Sequence, residues 1–482
     1  MQNELELQRI IFDLMVMQIK FGVYRCGDSL PTIKEAAGFF WTSVDTVRSA
    51  YVHLKREGYI SLSTYVGASV TVQYSTEEIQ AHIQTYFACR KHAILDLAQS
   101  ALPLFGHAQW LAFTNASPET LDELERSNQR KDIPTLYRMS QQYLLLYSAL
   151  GNEAFMRLVW QIFLFSQAPF FSIPHNITYF LLGAHPPRDV LSEHIRLCRE
   201  KNWAQLRQAI AAYEDRRYHA LCRFYETEIQ PEPDTAQVAF TWSPYKKTSQ
   251  LLYSLCMDLM VKIRAGDYPE GSFLPSMHQL AREKQVSLNT ARRTLGLMQK
   301  LGAAESINRV GTKVLSPFDC ANHCDFHDDT IQKRLLDFAR CMHIFALSCR
   351  ACSACTIASM DADTLHEWIE LLASLKQTGI YEDVIITCYS FIATHAPYEA
   401  IRTVYTQLTQ QLLWGAPLQR LHREGIRAHF GPYLNTLLDY LSRADGEGFS
   451  KTLEDLQTLE MRLTVPFLVQ LKVQDAAELF LF

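Results

Sequence analysis

The chain contains a long internal repeat. Residues 19–70 align without a gap with residues 263–314, at a shift of 244 positions. The matched pairs include Leu30 with Leu274, Pro31 with Pro275, Gly58 with Gly302 and Gly67 with Gly311. An ungapped match at glycines, prolines and hydrophobic residues over this distance predicts two copies of one folding unit.

The repeat divides the 482 residues into two copies of a two-part unit. We expect a short module over 1–75 and a helical bundle over 76–235, then a second short module over 236–316 and a second bundle over 317–482. The long modules lack strand alternation, and their apolar residues recur at spacings of three and four, which predicts helical bundles. The proline- and acid-rich segment 230–234 and the segment 316–319 are the predicted linkers.

The first short module predicts three helices. Apolar residues at helical spacing predict a helix over 5–21. A capping-box pattern, Thr32 with Glu35, predicts the start of a second helix, and Ser276 with Gln279 repeats it in the second copy. After a turn at Trp41-Thr42 we expect a third helix from Ser43 to Glu57. Its inward face consists of Val47, Ala50, Tyr51 and Leu54.

A short hairpin completes each short module. Residues 59–62 and 68–72 alternate like two strands around Val66-Gly67. Three helices followed by a hairpin make a winged helix-turn-helix, whose third helix enters the major groove of DNA with its N-terminal residues at the base edges. The predicted fold class is therefore mainly α: two winged helix-turn-helix modules with small β-wings and two helical bundles, arranged as a tandem repeat.

Two sequence elements occur in both short modules. A Leu-Pro-Ser/Thr element lies at 30–32 and 274–276, and a Ser-x-x-Thr-x-Arg element lies at 43–48 and 287–292. With the wing glycines, this pair resembles the DNA-binding domain of GntR-family bacterial transcription regulators. The resemblance covers the two short modules and implies double-stranded DNA as the partner.

Carried over by motif, the resemblance implies two sets of DNA-contacting residues. In the first copy they are Lys34, Ser43, Thr46, Arg48 and Gly67. In the second copy they are His278, Ser287, Asn289, Thr290, Arg292, Arg293, Arg309, Gly311 and Lys313. The basic residues of the second set are also compatible with an ordinary solvated surface, but their place on a recognition helix and wing favours DNA contact.

The two copies depart from the family pattern at arginine positions. The family's first DNA-contacting arginine is Lys34 in one copy and His278 in the other. The arginine after the recognition serine is Val44 in one copy and Leu288 in the other. Because an aliphatic side chain lacks the bidentate donors with which arginine reads guanine, we expect an altered sequence preference.

Charge separates the two short modules. The whole chain has a formal net charge of −5, which by itself suggests no nucleic-acid partner. Residues 1–75 carry seven basic and seven acidic side chains, whereas residues 246–315 carry eleven basic and five acidic ones. Since affinity for phosphates grows with the number of charges neutralised, we expect the second module to be the stronger anchor on DNA.

The bundles follow the winged helices as the all-helical effector domain does in the FadR-like branch of the family. This position implies a small-molecule effector held among mostly apolar walls. Metal-binding members of the branch place Asp and His near a helix junction where this chain has Met139 and Tyr143, so we expect no metal of that type and no cofactor. Aromatic residues of the bundles would line a pocket or simply pack the core.

Twelve cysteines are scattered along the chain, which favours a reduced cytoplasmic protein. Cys349, Cys352 and Cys355 have a spacing that allows core packing, a metal or iron–sulfur site, or a redox sensor. Repeat alignment places these three opposite Ala98, Ala101 and Leu104, which favours core packing.

Neither export nor a membrane location is expected. The N-terminus is acidic where a signal peptide is basic. The segment Leu158–Pro187 lacks charged Asp, Glu, Lys and Arg, yet its prolines and polar groups favour buried bundle helices over a membrane span.

Two functions remain open. The first is a DNA-binding transcription regulator whose chain is an internal pseudo-dimer, able to reach two half-sites and to dimerise further. The second is a ligand- or partner-binding protein whose winged helices no longer read DNA. Nucleophile, phosphate-loop and zinc-protease motifs are missing from the sequence, so we do not expect an enzyme.

Overall fold

The computed structural model describes residues 2–40, 42–63, 67–130, 132–181, 189–230, 236–242, 247–316, 320–421 and 423–479. The chain forms two compact units. The first consists of Met1–Leu150, Met156–Trp242 and Tyr398–Ala400, and the second of Gly151–Phe155, Ser243–Pro397 and Ile401–Phe482. The predicted domain limits fall inside these units and stay a proposal.

The first half of the chain begins with a winged helix. Its elements are α1 (Gln2–Lys20), α2 (Ile33–Phe39), α3 (Val44–Arg56), β1 (Ile60–Ser63) and β2 (Gly67–Val70). The helices that follow are α4 (Thr76–Ala88), α5 (Lys91–Thr114), α6 (Pro118–Gln129), α7 (Thr135–Ser148), α8 (Glu153–Ile162), α9 (Ala168–Phe171), α10 (Thr178–Leu181), α11 (Val190–Arg199) and α12 (Trp203–Thr227). A π-helical turn, Phe163–Gln167, joins α8 to α9, and a 3₁₀ turn, Pro174–Ile177, precedes α10.

The second half repeats this order. Its winged helix consists of α13 (Lys247–Ala265), α14 (Met277–Glu283), α15 (Leu288–Lys300), β3 (Ala304–Ile307) and β4 (Gly311–Val314). The helices that follow are α16 (Cys320–His323), α17 (Asp329–Ala358), α18 (Ala362–Thr378), α19 (Val384–His395), α20 (Glu399–Leu412), α21 (Ala416–Leu421), α22 (Arg423–Ser442) and α23 (Gly446–Gln470). Short 3₁₀ turns lie at Tyr381–Asp383, Leu413–Gly415 and Ala476–Glu478.

The predicted fold class is confirmed. In the described residues the strands form two antiparallel hairpins, and their registers match at the same shift of 244, with Ile60 opposite Val70 and Ala304 opposite Val314. Each wing also pairs with the segment before the second helix. The amide of Leu30 donates to the carbonyl of Ala68, and that of Leu274 to the carbonyl of Thr312, at 2.9 Å in both copies.

The local predictions for the winged helices also hold. Both capping boxes form, at Thr32 with Glu35 and at Ser276 with Gln279. In α3, Val47, Ala50, Tyr51 and Leu54 are all fully buried. Trp41, Val66, and parts of both predicted linkers, 231–234 and 317–319, lie outside the described residues.

One long helix of the second bundle is apolar enough to cross a membrane. Helix α17 passes a test of length and composition, and 67% of its most apolar window is buried inside the protein. Side chains of the same unit cover it, as in the core helix of a bundle. The segment 158–181 forms short, broken helices rather than one long helix.

The clustered cysteines lie on α17. Cys349 and Cys352 are fully buried, and Cys355 is half-buried. Burial raises the pKa of all three thiols, that of Cys355 to about 11, so they stay protonated at neutral pH. Among the described residues no group of three or more His, Cys, Asp or Glu side chains is placed to hold a metal ion.

The first winged helix packs on its bundle through Tyr137 of α7. The ring of Tyr137 stacks on Phe39 at 4.5 Å between centroids and meets Phe40 edge-on at 5.8 Å. Its hydroxyl donates to Oε1 of Gln18 at 3.1 Å, and Ser140 of the same helix donates to the carbonyl of Phe39 at 3.2 Å. The C-terminal end of α2 and the turn before α3 therefore rest on α7.

The second winged helix packs on its bundle through different side chains. The positions matching Phe39 and Phe40 are Glu283 and Lys284, and Nζ of Lys284 pairs with Asp258 of α13 at 2.9 Å. Helix α13 contacts the bundle, where the guanidinium of Arg334 lies 3.8 Å from the centre of the Tyr253 ring, and Lys300 at the end of α15 pairs with Asp328. The two copies thus share a fold and differ in how the helix-turn-helix is held.

Substitution of two matched glycines tests this difference in packing. Gly58 and Gly302 follow the recognition helices with φ of +82° and +72°. A Cβ at Gly58 would meet no atom within 4 Å, whereas one at Gly302 would lie 2.2 Å from the carbonyl oxygen of Cys320. We predict that Gly58→Ala costs about 1 kcal/mol, the usual penalty for a left-handed alanine, and that Gly302→Ala lowers the melting temperature clearly further.

Thermal unfolding of the whole chain, followed by circular dichroism, checks this. Equal losses in the two variants would mean that the close approach of α16 to the end of α15 does not contribute to stability.

Candidate nucleic-acid interface

The N-terminal turns of α3 and α15 have the same hydrogen bonds. The hydroxyl of Ser43 accepts from the amide of Thr46 at 3.1 Å, and that of Ser287 accepts from the amide of Thr290 at the same distance. In both copies the Ser and Thr hydroxyls are 2.8 Å apart. Ser43 and Ser287 are therefore N-caps, and they fix where the two recognition helices begin.

The second module brings most of its predicted contact residues to one exposed surface. His278 lies near the start of α14, Asn289, Arg292 and Arg293 lie on the first turns of α15, and Arg309 lies at the tip of the wing. All of these side chains are exposed, as is the capping Ser287. Thr290, Gly311 and Lys313 are half-buried, and Nζ of Lys313 lies 3.7 Å from Glu305 on the neighbouring strand.

The first module presents fewer of its predicted residues. Lys34, Ser43 and Arg48 are exposed, but Thr46 is only 1% exposed, with its hydroxyl turned to Ser43. The guanidinium of Arg48 is ion-paired with Asp45 on the same helix turn. Asp45 is itself exposed, and the second copy has neutral Asn289 at that position.

Backbone conformation shapes the two wings. Gly67 and Gly311 begin the returning strands with φ of +84° and +151°, a region that favours glycine. Arg309 at the tip of the second wing also has a positive φ, of +63°. The first wing tip, 64–66, lies outside the described residues.

Ion pairs reduce the charge that the second module offers to DNA. Lys284 pairs with Asp258, Lys300 with Asp328 at 2.5 Å, and Arg264 with Asp383 at 3.1 Å. Arg292 donates to neutral Asn289, so this contact does not offset its positive charge. Arg292 and Arg293 on the first turns of α15 and Arg309 at the wing tip are exposed and take no part in these ion pairs.

Sequence reasoning missed three features at or next to this surface. Val44 and Leu288, the residues in the family's arginine position, are 41% and 46% exposed, so they present apolar surface beside the polar contact residues. The burial of Thr46 and the packing of Phe39 were also missed. The contrast between Phe39-Phe40 and Glu283-Lys284 in the repeat alignment was the available signal for that packing.

A family model matches both modules. The family is described as bacterial regulatory proteins of the gntR family, and its model matches residues 7–70 and 257–314. These segments contain α2, α3 and the first wing, and their counterparts in the second copy. The chain therefore carries the gntR-family domain twice. This family consists of DNA-binding regulators, and it is in general not enzymatic.

Solved structures of GntR proteins show low overall similarity to the chain. A GntR protein of Streptococcus agalactiae is 13% identical, covers 44% of this chain and 99% of its own, and has a TM-score of 0.20. A GntR transcriptional regulator of Rhodococcus sp. RHA1 is 16% identical over 45% and 97%, with a TM-score of 0.25. One from Pseudomonas syringae pv. tomato is 20% identical over 47% and 85%, with a TM-score of 0.21.

We found no match among curated proteins. The family assignment therefore depends on the two segments that the family model matches.

Proposed function

We propose that this gntR-family protein is a transcription regulator in which the second winged helix is the main anchor on DNA. The observation that carries the proposal is the exposed set Arg292, Arg293 and Arg309 on the recognition helix and wing of a module with an excess of basic residues. Residues on the first turns of such a helix reach base edges, and a basic wing meets phosphates.

The first winged helix is proposed as a weaker, second reader. Its formal charge is balanced, and Arg48 is held by Asp45. Two readers in one chain supply what other proteins obtain by pairing two chains, and because the copies differ, the target need not be a perfect palindrome.

A salt titration on random-sequence duplex DNA tests the anchor. Each phosphate contact contributes about 0.9 to the slope of log Kobs against log salt concentration. We predict that the double variant Arg292→Ala/Arg293→Ala lowers this slope by about 2, the value for the loss of two phosphate contacts. The matched double variant Lys34→Ala/Arg48→Ala removes the same charge from the first module and lowers the slope by less.

A larger effect of the first-module variant would contradict the assignment of the anchor. If the unmodified chain fails to bind DNA even at low salt, the alternative holds, in which the winged helices serve a partner or ligand. The balanced charge of the first module and the aliphatic Val44 and Leu288 are what favour that alternative.

The first bundle is the proposed sensor. It contains a cavity of about 310 Å³ between α5, α6, α7, α10, α11 and α12, within the size range of small-molecule sites. Most of its wall is apolar or aromatic, and includes Phe113, Phe180 and Leu124. Arg138, Gln142 and His194 add polar groups to that wall.

We propose that His194 supplies the cavity with a hydrogen-bond acceptor. The side chain is 2% exposed, and burial lowers its pKa to about 4, so the ring is neutral at pH 7. The buried Nε2 has no hydrogen-bond partner among the described residues, and we assign the ring proton to Nδ1. With the proton on Nδ1, Nε2 is a bare acceptor, which favours a ligand with an O–H or N–H donor.

The second bundle has apolar side chains at the matching positions. At a shift of 246, Arg138 and Gln142 match Val384 and Cys388, which are fully buried. At a shift of 243, His194 matches Leu437, also fully buried. The register of the second alignment is supported by Lys201 and Ala444, both with φ of 53°. We therefore assign the site built on His194 to the first bundle alone.

Helix α7 connects the cavity to the first reader. Tyr137 packs on the end of α2, and the next residues, Arg138 and Met139, line the cavity. A ligand that fits one position of α7 better than another would shift the position of the first recognition helix, because only differential affinity moves such an equilibrium. Ligand binding would thus move the first winged helix, the weaker reader, while the second winged helix stays bound to DNA.

Phenol and anisole form a matched pair of probes for the cavity, since only phenol carries a donor. We predict that phenol raises the melting temperature of the chain more than anisole does at equal concentration. His194→Leu, which copies Leu437, should abolish this difference, and His92→Leu, at an exposed histidine of the same unit, should keep it. Equal shifts by the two probes in the unmodified chain would contradict the role of His194.

A further inference from the structure

An exposed leucine begins the recognition helix of the second module. Leu288 is 46% exposed on the first turn of α15, while the apolar residues that face the core of the module, such as Ala291, Leu295 and Met298, are buried. Leu288 is therefore not part of the core. Its exposed neighbours Asn289 and Arg292 are polar, so it forms an isolated apolar contact point on the reading surface.

The side chain of Asn289 is held in one orientation. Nη2 of Arg292 donates to its Oδ1 at 2.9 Å. This leaves one lone pair of Oδ1 and both hydrogens of Nδ2 available on an exposed side chain. An acceptor beside a donor is the pattern that matches N6 and N7 on the major-groove edge of adenine.

We propose that the first turn of α15 reads A·T base pairs, with Asn289 bonded to adenine and Leu288 in contact with the 5-methyl group of a thymine in the same base-pair step. This inference rests on the proposed function. Thymine is the only base that presents a methyl group in the major groove, and an aliphatic side chain is its usual contact. Leu288 has no donor for guanine. We therefore expect an A·T pair at the position where an arginine in place of Leu288 would select G·C.

The first copy can make only one of these two contacts. Val44 is 41% exposed and could meet a methyl group, but Asp45 has only acceptors and is ion-paired with Arg48. Asp45 cannot donate to N7 of adenine. The two readers of one chain therefore differ in base preference, and the first copy supplies matched control positions.

Base analogues test the proposal with atoms removed one at a time. The duplex is the sequence that the intact chain enriches from a random pool, and each thymine in turn is replaced by uracil and each adenine by 7-deazaadenine. At one thymine position, replacement by uracil should weaken binding about fourfold, which corresponds to the free energy of burying one methyl group. At one adenine the loss of N7 should weaken it about tenfold or more.

Protein variants assign each loss to its side chain. Leu288→Ala should become insensitive to uracil at that position while keeping its sensitivity to 7-deazaadenine. Asn289→Ala should show the reverse. Val44→Ala should keep both sensitivities of the unmodified chain, and Leu288→Arg should move the preference at this step toward G·C.

The failures of the two proposals differ. If the chain enriches no DNA, the proposed function fails. If it binds DNA and no thymine or adenine analogue weakens binding, or if both losses persist in Leu288→Ala and Asn289→Ala, the reading of A·T by this turn is wrong. Since both side chains are exposed, the variants should keep the melting temperature of the unmodified chain.

Discussion

The stack of Tyr137 on Phe39 ties the first helix-turn-helix to the bundle that follows it. An aromatic pair of this kind contributes about 1 kcal/mol beyond the area it buries, and here hydrogen bonds to Gln18 and Phe39 accompany it. The contact joins the end of α2, which precedes the recognition helix, to α7, which lines the cavity. In the second copy the residues that match Phe39 and Phe40 are Glu283 and Lys284, and Lys284 pairs with Asp258 of its own winged helix.

Duplication explains why the two modules keep one backbone and present different surfaces. Positions that build the fold, such as the N-caps Ser43 and Ser287, the wing register and the buried face of the recognition helix, agree between the copies. Positions outside this framework differ between the copies. They are Asp45 and Asn289 on the exposed reading turns, and His194 and Leu437 in the interior of the bundles. The result we propose is a division of labour, with one anchoring reader and one sensing bundle.

Much of the fold was predictable because its signals are local or repeated. Glycine, proline and capping residues fix helix ends, and a second copy at a constant shift confirms each of them, as with Thr32 and Ser276. The candidate site was predictable only in outline. Thr46 and Arg48 belong to the same motif, yet one is buried and the other exposed, because a two-residue step along a helix turns about 200° around its axis. The role of Tyr137 and the bare Nε2 of His194 depend on packing between distant segments, which no spacing in the sequence encodes.

The central claim is that the second winged helix anchors the chain on DNA and the first is subordinate. Selection of bound sequences from a random DNA pool tests it most directly, performed in parallel with the unmodified chain, with Arg292→Ala/Arg293→Ala and with Lys34→Ala/Arg48→Ala. The account predicts that the unmodified chain and the first-module variant enrich the same core sequence, while the second-module variant enriches none. Enrichment of that sequence by the second-module variant, together with its loss in the first-module variant, would contradict the account.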